Sequence, residues 1–134
     1  MSKGVSSETN LTGVWHGLYS YSDGLSVSFV ATLIDSGLSL SGSTHEPRTF
    51  GNSRSQTLFA DVSGSRQGTA VAFLKTYQDA GPQYGSVQYE GRLSGDATEI
   101  EGRWAIGAMR AGKFLMIRSS GKAVEVERRR TVRV

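Results

Sequence analysis

The sequence predicts an all-β protein, an eight-stranded antiparallel up-and-down barrel, and three observations predict it. The chain has 134 residues with 17 Gly and only 2 Pro, a composition that suits a sheet with many tight turns. Residues 11–119 divide into eight short runs separated by turn signals such as Asp23-Gly24 and Gly95-Asp96. Within several runs apolar and polar residues alternate with the period of two that defines a half-buried strand.

The runs follow one another at regular spacing. In chain order they cover 11–21, 25–35, 38–46, 56–64, 69–78, 84–93, 98–106 and 111–119. Alternation places on one face Leu25, Val27, Phe29, Ala31 and Leu33 in the second run, Leu38 and Leu40 in the third, and Ile100, Gly102, Trp104 and Ile106 in the seventh. No window of similar length has a helical stripe, so we expect little helix.

Closure of the sheet is the expected architecture. Eight strands with short connections leave two exposed edges unless the first pairs with the last, and eight strands close into a barrel that holds side chains or one small ligand. A two-sheet sandwich is the alternative. We expect a flexible N-terminus at 1–10 and the barrel domain at 11–120. Residues 121–134 would form a ninth strand or a solvated basic tail.

Charge and composition narrow the function classes. The tail from 120 carries five basic and two acidic residues (5 − 2 = +3), which leaves 10 − 10 = 0 for the rest of the chain. Because the barrel has no surplus charge and Glu125 and Glu127 interrupt the basic cluster, we do not expect nucleic-acid binding. There are no cysteines, which excludes disulfides. With no signal peptide and no apolar run of membrane length, the expectation is a cytoplasmic protein without membrane attachment.

A three-residue motif on the first predicted strand and one arginine on the last carry a family resemblance. Gly13-Val14-Trp15 on the first strand, together with Arg118 on the last, resembles the signature of the calycin superfamily, which includes lipocalins, fatty-acid-binding proteins and avidins. "LTGVW" is similar to the opening of avidin-type chains. The resemblance implies that Trp15 closes the barrel floor and that Arg118 packs across its indole and hydrogen-bonds the entering chain. It also implies a fold compatible with small-molecule binding, and "FLKTY", "YEGRL" and "GKFLMIR" are similar to small bacterial barrels of uncharacterised function.

The chain departs from each calycin branch in a way that limits what the resemblance implies. His16-Gly17 follow the Trp where avidins have polar residues that bind biotin. The chain lacks the disulfides common in lipocalins, and "SYSDGLS" leaves no room for the helical pair of fatty-acid-binding proteins. Neither biotin nor a retinoid is therefore the expected ligand. We assign Gly13, Trp15 and Arg118 to architecture.

Strand parity predicts a binding site inside the barrel. If Trp15 faces inward, several apolar faces become polar or phenolic toward one end of the barrel. Buried charges survive there when they bind each other, water or a ligand. We therefore predict non-catalytic binding of a small, partly apolar molecule. The predicted ligand-binding residues are Tyr19, Tyr21, Phe29, Thr44, Glu46, Phe73, Lys75, Tyr77, Tyr89 and Trp104.

Other interpretations of these residues stay open at the level of sequence. A bulge at Gly42 or beside Pro47 would turn Glu46 outward, and Lys75 could extend to the rim. The tyrosines fit plain core packing equally well. Two other function classes remain: a barrel isomerase or hydrolase that uses Glu46 with Lys75 or Tyr77, and a structural barrel with a filled interior. No catalytic residue, metal or cofactor is predicted, because the two isolated histidines have no suitable ligand or triad context.

The eighth run is apolar on both faces. Phe114 and Met116 lie on one face, and Leu115 and Ile117 on the other. Because the outer wall of a barrel meets water, the apolar Leu115 and Ile117 predict that another segment or subunit covers this face. The C-terminal segment and a second subunit, in a homodimer, are equally good candidates for this cover.

Overall fold

The computed structural model describes residues 10–47, 57–78, 85–108 and 110–119, and in it eight antiparallel strands form a closed barrel. The strands are β1 (Gly13–Ser20), β2 (Ser26–Asp35), β3 (Ser39–Pro47), β4 (Thr57–Gln67), β5 (Ala70–Tyr77), β6 (Ser86–Leu93), β7 (Glu99–Ile106) and β8 (Arg110–Arg118). Each strand pairs with the next, and β8 pairs with β1. The up-and-down barrel predicted from the sequence is confirmed, and closure leaves no free edge in the sheet.

The register of β3 keeps the predicted inward face through to the end of the strand. Its pairing with β4 runs without a break from Ser39–Ser65 to Pro47–Thr57. The alternative of a bulge that turns Glu46 outward is therefore wrong. Gly42 permits this regular course, because a Cβ there would lie 2.0 Å from the Thr32 carbonyl oxygen on β2.

Three apolar residues expected on the inner face are instead exposed. Leu25 and Leu38 lie in the turns before β2 and β3 and are 65% and 74% exposed. Ile106 shares the inward parity of Trp104 but ends β7, where 37% of its surface is exposed. The alternation of apolar and polar residues continues in the sequence past the ends of the strands, where no neighbouring strand covers these side chains. Likewise, β4 extends to Gln67, three residues past its predicted run.

One end of the barrel is closed by Trp15 and Arg118. The Trp15 indole is fully buried and donates from Nε1 to the Leu11 carbonyl at 3.0 Å. The Arg118 guanidinium carbon lies 5.0 Å from the indole centroid, and its nitrogens donate to the carbonyls of Asn10 and Ala97. The geometry that the calycin resemblance implies is therefore present, with the indole covered and the entering chain held by the arginine.

An ion pair between Asp35 and Arg66 also stabilises this closed end. Asp35 accepts from Arg66 Nη1 at 2.8 Å and from the backbone amides of Leu11 and Gly37, each at 2.9 Å. Burial acts to raise the pKa of Asp35, but these donors outweigh it and hold the pKa below its usual value. The carboxylate thus ties the end of β2 to the chain that enters the barrel.

Aromatic rings fill the middle of the barrel. Phe73 stacks on Tyr89 with the ring centroids 4.9 Å apart, and Phe114 packs edge-on against Tyr89 at the same distance. The Phe29 ring occupies the space over Gly17, where a Cβ would lie 2.2 Å from its Cζ. The closed end and this aromatic layer leave the opposite end of the barrel to carry the polar residues.

The outer wall carries an apolar stripe on β1 and β8. Leu115 and Ile117 are half-buried and pair with Leu18 and His16, and the exposed side chains of Val14 and Leu18 share this face. Residues 121–134 lie outside the described residues, so what covers the stripe stays a prediction. Among the described residues, no helix is long and apolar enough to span a bilayer.

Candidate functional site

A buried ion pair lies inside the barrel, toward the end opposite Trp15. Lys75 Nζ on β5 contacts Glu46 Oε1 on β3 at 2.8 Å, across the intervening strand β4. The exposed fractions of the two side chains are 0% and 1%. Inward parity brings both groups to the barrel axis, and withdrawal from water costs several kcal/mol for each ion before their attraction offsets it.

Two phenols complete the coordination of the carboxylate. Tyr19 donates to Glu46 Oε2 at 2.6 Å, and the Tyr77 hydroxyl lies 3.0 and 3.1 Å from the two oxygens. With Lys75, these groups give each carboxylate oxygen two neighbours within hydrogen-bond distance. These side-chain donors therefore take the place that hydrating water has around an exposed carboxylate.

The ammonium group of Lys75 lies in a cage of aromatic rings. It donates to the Tyr89 hydroxyl at 3.3 Å. Its nitrogen is 4.4 Å from the Phe29 centroid, 4.9 Å from Tyr19, 5.1 Å from Tyr77 and 5.4 Å from Tyr89. The faces of aromatic rings attract cations at these distances, so the cage compensates part of the lost hydration of Lys75.

Burial keeps the three phenols protonated. It raises the pKa of Tyr19, of Tyr77 and of Tyr89 well above 10, and the negative charge of Glu46 adds to the shift. Burial also lowers the pKa of Lys75, against the attraction of Glu46. Near neutral pH the phenols are therefore hydrogen-bond donors, and the Lys75 nitrogen lies 2.8 Å from the Glu46 carboxylate.

Thr44 adds a polar atom without a partner to this half of the barrel. Its side chain faces inward two residues before Glu46, and within the described part of the chain its buried Oγ1 makes no hydrogen bond to protein. The residues paired with it on β2 and β4 are Ala31 and Ala60, which have no polar side-chain atom. A buried hydroxyl without a partner costs about 1–3 kcal/mol, and a ligand or water atom would satisfy it.

Tyr21, Trp104 and Arg110 form the rim above the ion pair. Tyr21 and Trp104 pack edge-to-face with centroids 5.4 Å apart, and Trp104 Nε1 donates to the Ser20 carbonyl at 3.0 Å. The exposed Arg110 guanidinium lies 5.2 Å from the Tyr21 centroid. We call these three residues the aromatic rim. The sequence reasoning missed Arg110, although its parity with Phe114 and Met116 could have found it.

The structure brings most of the predicted site residues together. Tyr19, Glu46, Lys75, Tyr77 and Tyr89 form one bonded network. Phe29 belongs to the lysine cage, whereas Phe73 supports it from below by stacking on Tyr89.

The remaining predicted residues lie around this network or apart from it. Tyr21 and Trp104 are at the aromatic rim, and Thr44 lies beside the network without a bond to it. Trp15 and Arg118 lie at the other end. His45 is exposed on the outer face, and the described residues contain no cluster of three His, Cys, Asp or Glu side chains able to hold a metal ion.

Comparison with known proteins identifies the architecture and no family. No family model matches the chain, and no curated protein matches it. Among solved structures, the chain is similar to a de novo designed fluorescence-activating β-barrel, with a TM-score of 0.60 and 15% sequence identity over 84% of this chain and 97% of that chain. At this identity the likeness shows the fold alone. Membership of the calycin superfamily stays a prediction.

Proposed function

We propose that the barrel binds a small, partly apolar molecule at the end that carries the aromatic rim, above the Glu46–Lys75 pair. The observation that carries the proposal is this fully buried ion pair, with its three phenols and the unpartnered Thr44 hydroxyl beside it. Most of the other buried side chains of the barrel are apolar or aromatic. The Glu46–Lys75 network lies toward the end where a ligand would enter, whereas the Asp35–Arg66 pair bonds to backbone groups at the closed end.

The energetics of the pair support a functional role. Replacing a buried ion pair with apolar residues of similar volume is often neutral or stabilising, by about 1–4 kcal/mol. The pair is therefore not what a barrel selected only for stability needs. Ligand sites typically combine apolar and aromatic walls with a few converging polar groups, and the five network residues beneath the aromatic rim form such a set.

The rim indicates the kind of molecule. The half-buried Tyr21 offers aromatic surface that the buried Trp104 supports from behind, and the exposed Arg110 offers a positive charge at the entrance. A planar ring with an acidic substituent would match both features, since its ring would pack on the aromatic side chains and its charge would pair with Arg110. The similar designed barrel is fluorescence-activating, and a barrel of this size is compatible with small-molecule binding.

The proposal is tested with 8-anilinonaphthalene-1-sulfonate, an acidic aromatic probe whose emission increases in apolar sites. We expect saturable binding to the folded protein. Trp104→Phe and Arg110→Gln should each weaken it at least about tenfold, or ~1.4 kcal/mol. Phe59→Ser is the matched control, because Phe59 is 53% exposed on the outer wall, and it should leave the affinity unchanged.

Two results would contradict the proposal. One is an absence of binding, which would favour the structural barrel with a filled interior. The other is binding that Phe59→Ser abolishes and that the rim substitutions leave unaltered. Native mass spectrometry of the protein purified from its own host gives an independent measurement, in which a bound small molecule should be lost on Trp104→Phe.

A further inference from the structure

Lys75 has the surroundings of a reactive amine as well as those of a structural cation. Its Nζ is completely buried, and it has one carboxylate neighbour at 2.8 Å and one phenol at 3.3 Å. Phe29, whose ring centroid lies 4.4 Å away, contributes a face with no hydrogen-bonding atom. Desolvation in an apolar pocket is one of the means by which proteins make a lysine amine nucleophilic.

Glu46 lies where the proton of that amine has to go. Transfer of one proton along the 2.8 Å contact from Lys75 to Glu46 converts two charges into two neutral groups. A medium of low dielectric constant reduces the cost of this transfer relative to water, because it penalises the separated charges. The neutral amine needed for attack on a carbonyl is thus one short proton transfer away.

We propose that Lys75 captures an aldehyde as an imine, with Glu46 carrying the proton transfers and the Tyr89 hydroxyl holding the nitrogen in place. This step rests on the proposed binding function and names the chemical class of the ligand. An aromatic aldehyde fits best, because rings of Tyr19, Phe29, Tyr77 and Tyr89 surround the nitrogen. Its flat ring would replace contacts that the ammonium now makes with ring faces.

The atoms balance in three steps. After Lys75 transfers a proton to Glu46, the neutral nitrogen attacks the carbonyl carbon, and the carbonyl π electrons move to oxygen. The oxygen takes the proton held by Glu46, and Glu46 then takes one from the attacking nitrogen, while Tyr89 keeps its proton. The hydroxyl of this carbinolamine then leaves as water with the proton held by Glu46. The protonated imine that remains has the charge of the original ammonium, and Glu46 is again its counterion.

Reductive trapping with benzaldehyde and sodium cyanoborohydride at neutral pH tests the proposal on the folded protein. The chain has four lysines, Lys3, Lys75, Lys113 and Lys122, so peptide mapping by mass spectrometry resolves each site. We expect the benzyl group on Lys75 at least tenfold faster than on Lys113, which is exposed on the outer face of β8. This readout needs no variant. In denaturant the preference should disappear.

Substitutions of Lys75, Lys113 and Glu46 test the assignment of the fast label to Lys75. Lys75→Arg should remove the fast label while Lys113→Arg, its matched control, retains it. Glu46→Gln should slow labelling of Lys75 and alter its pH profile, because the proton acceptor is lost. Labelling confined to Lys3, Lys113, Lys122 and the N-terminus would overturn the proposal. Equal labelling of wild-type protein and Lys75→Arg would overturn it as well.

A competition measurement separates this proposal from the proposed function. Benzyl alcohol has the aromatic ring of benzaldehyde without its carbonyl group. If benzyl alcohol displaces anilinonaphthalene sulfonate and Lys75 resists the aldehyde, imine formation is wrong and binding at the rim stands. If anilinonaphthalene sulfonate does not bind and Lys75 resists the aldehyde, both proposals fail. If the aldehyde labels Lys75 and anilinonaphthalene sulfonate slows that labelling, both are supported at one site.

Discussion

The two ends of the barrel both contain an ion pair, but they satisfy it with different kinds of partner. At the closed end, Asp35 accepts from two backbone amides as well as from Arg66, and Arg118 donates to two backbone carbonyls. At the rim end, Glu46 and Lys75 contact each other and the hydroxyls of three tyrosines, with no backbone hydrogen bond among these contacts.

This difference separates structural closure from the candidate site. Backbone groups are part of the sheet and the entering chain, so bonds to them hold the barrel shut at that end. Side-chain groups can change rotamer and exchange partners without breaking the strand ladder. A ligand can therefore replace contacts at the rim end while the closed end and the eight ladders stay intact.

The largest effect is expected from Trp15→Ala at the closed end. Removal of a fully buried indole leaves a cavity, and Arg118 loses its stacking partner. We expect the free energy of unfolding to fall by about 3–5 kcal/mol, measured by chemical denaturation. The milder Trp15→Phe should lose less, and binding of anilinonaphthalene sulfonate per folded molecule should stay unchanged. A large loss of binding by folded Trp15→Phe would contradict the division between the two ends.

At the rim end, Glu46→Gln should destabilise the protein by a similar or slightly smaller amount. It leaves a buried Lys75 without its counterion, and breaking such pairs costs about 3–5 kcal/mol. The cost should shrink as the pH rises toward the pKa of an ordinary lysine, because Lys75 can then lose its proton in the folded and the unfolded chain alike. Denaturant titrations at two pH values measure this, with the exposed Glu90→Gln as control.

The double substitution Glu46→Leu with Lys75→Met sharpens the same contrast. Both charges are then absent, so we expect recovery of most of the stability lost in Glu46→Gln, together with loss of aldehyde capture. Persistent destabilisation of the double variant would mean that the network contributes to folding as well as to the site.

A smaller effect is expected when Arg66→Met breaks the ion pair of the closed end. Asp35 keeps its two amide donors, and partly solvated pairs contribute about 1 kcal/mol or less. The loss of stability should be greatest at pH values above the ordinary aspartate pKa. Because the pKa of Asp35 is lowered in the folded state, its contribution is present above the unfolded pKa and is lost as the pH falls through the folded one.

The smallest effect is a change of slope at alkaline pH. The unfolded chain loses tyrosine protons above about pH 10, while burial keeps the folded Tyr19, Tyr77 and Tyr89 protonated. The folded state then holds more protons, so its stability decreases as the pH rises. Lys75 has the opposite sign, and its influence ends near the unfolded lysine pKa. Tyr19→Phe should flatten the decline, and an unchanged slope would show that Tyr19 titrates normally.

Much of the molecule could be predicted because alternation is a local signal. The period of two assigned Tyr19, Glu46 and Lys75 to the inner face before any pairing was known, since successive side chains of a strand point to opposite faces. The same signal failed at Leu25 and Leu38, because the pattern continues into turns where no neighbouring strand covers the side chain. Arg110 lies one residue before the predicted eighth run, so the same signal does not assign it to a face, although β8 begins there.

The sequence by itself determined the eight strands, which residues of each strand share a face, and the identity of the residues that close one end. Only the tertiary structure decided that Glu46 and Lys75, 29 positions apart, meet at 2.8 Å, and that Tyr19, Tyr77 and Tyr89 join them. The physical reason is that parity specifies a face, whereas the height of a residue along the barrel axis depends on strand register and stagger around the whole closed sheet. Those quantities come from long-range pairing, which no single run of residues encodes.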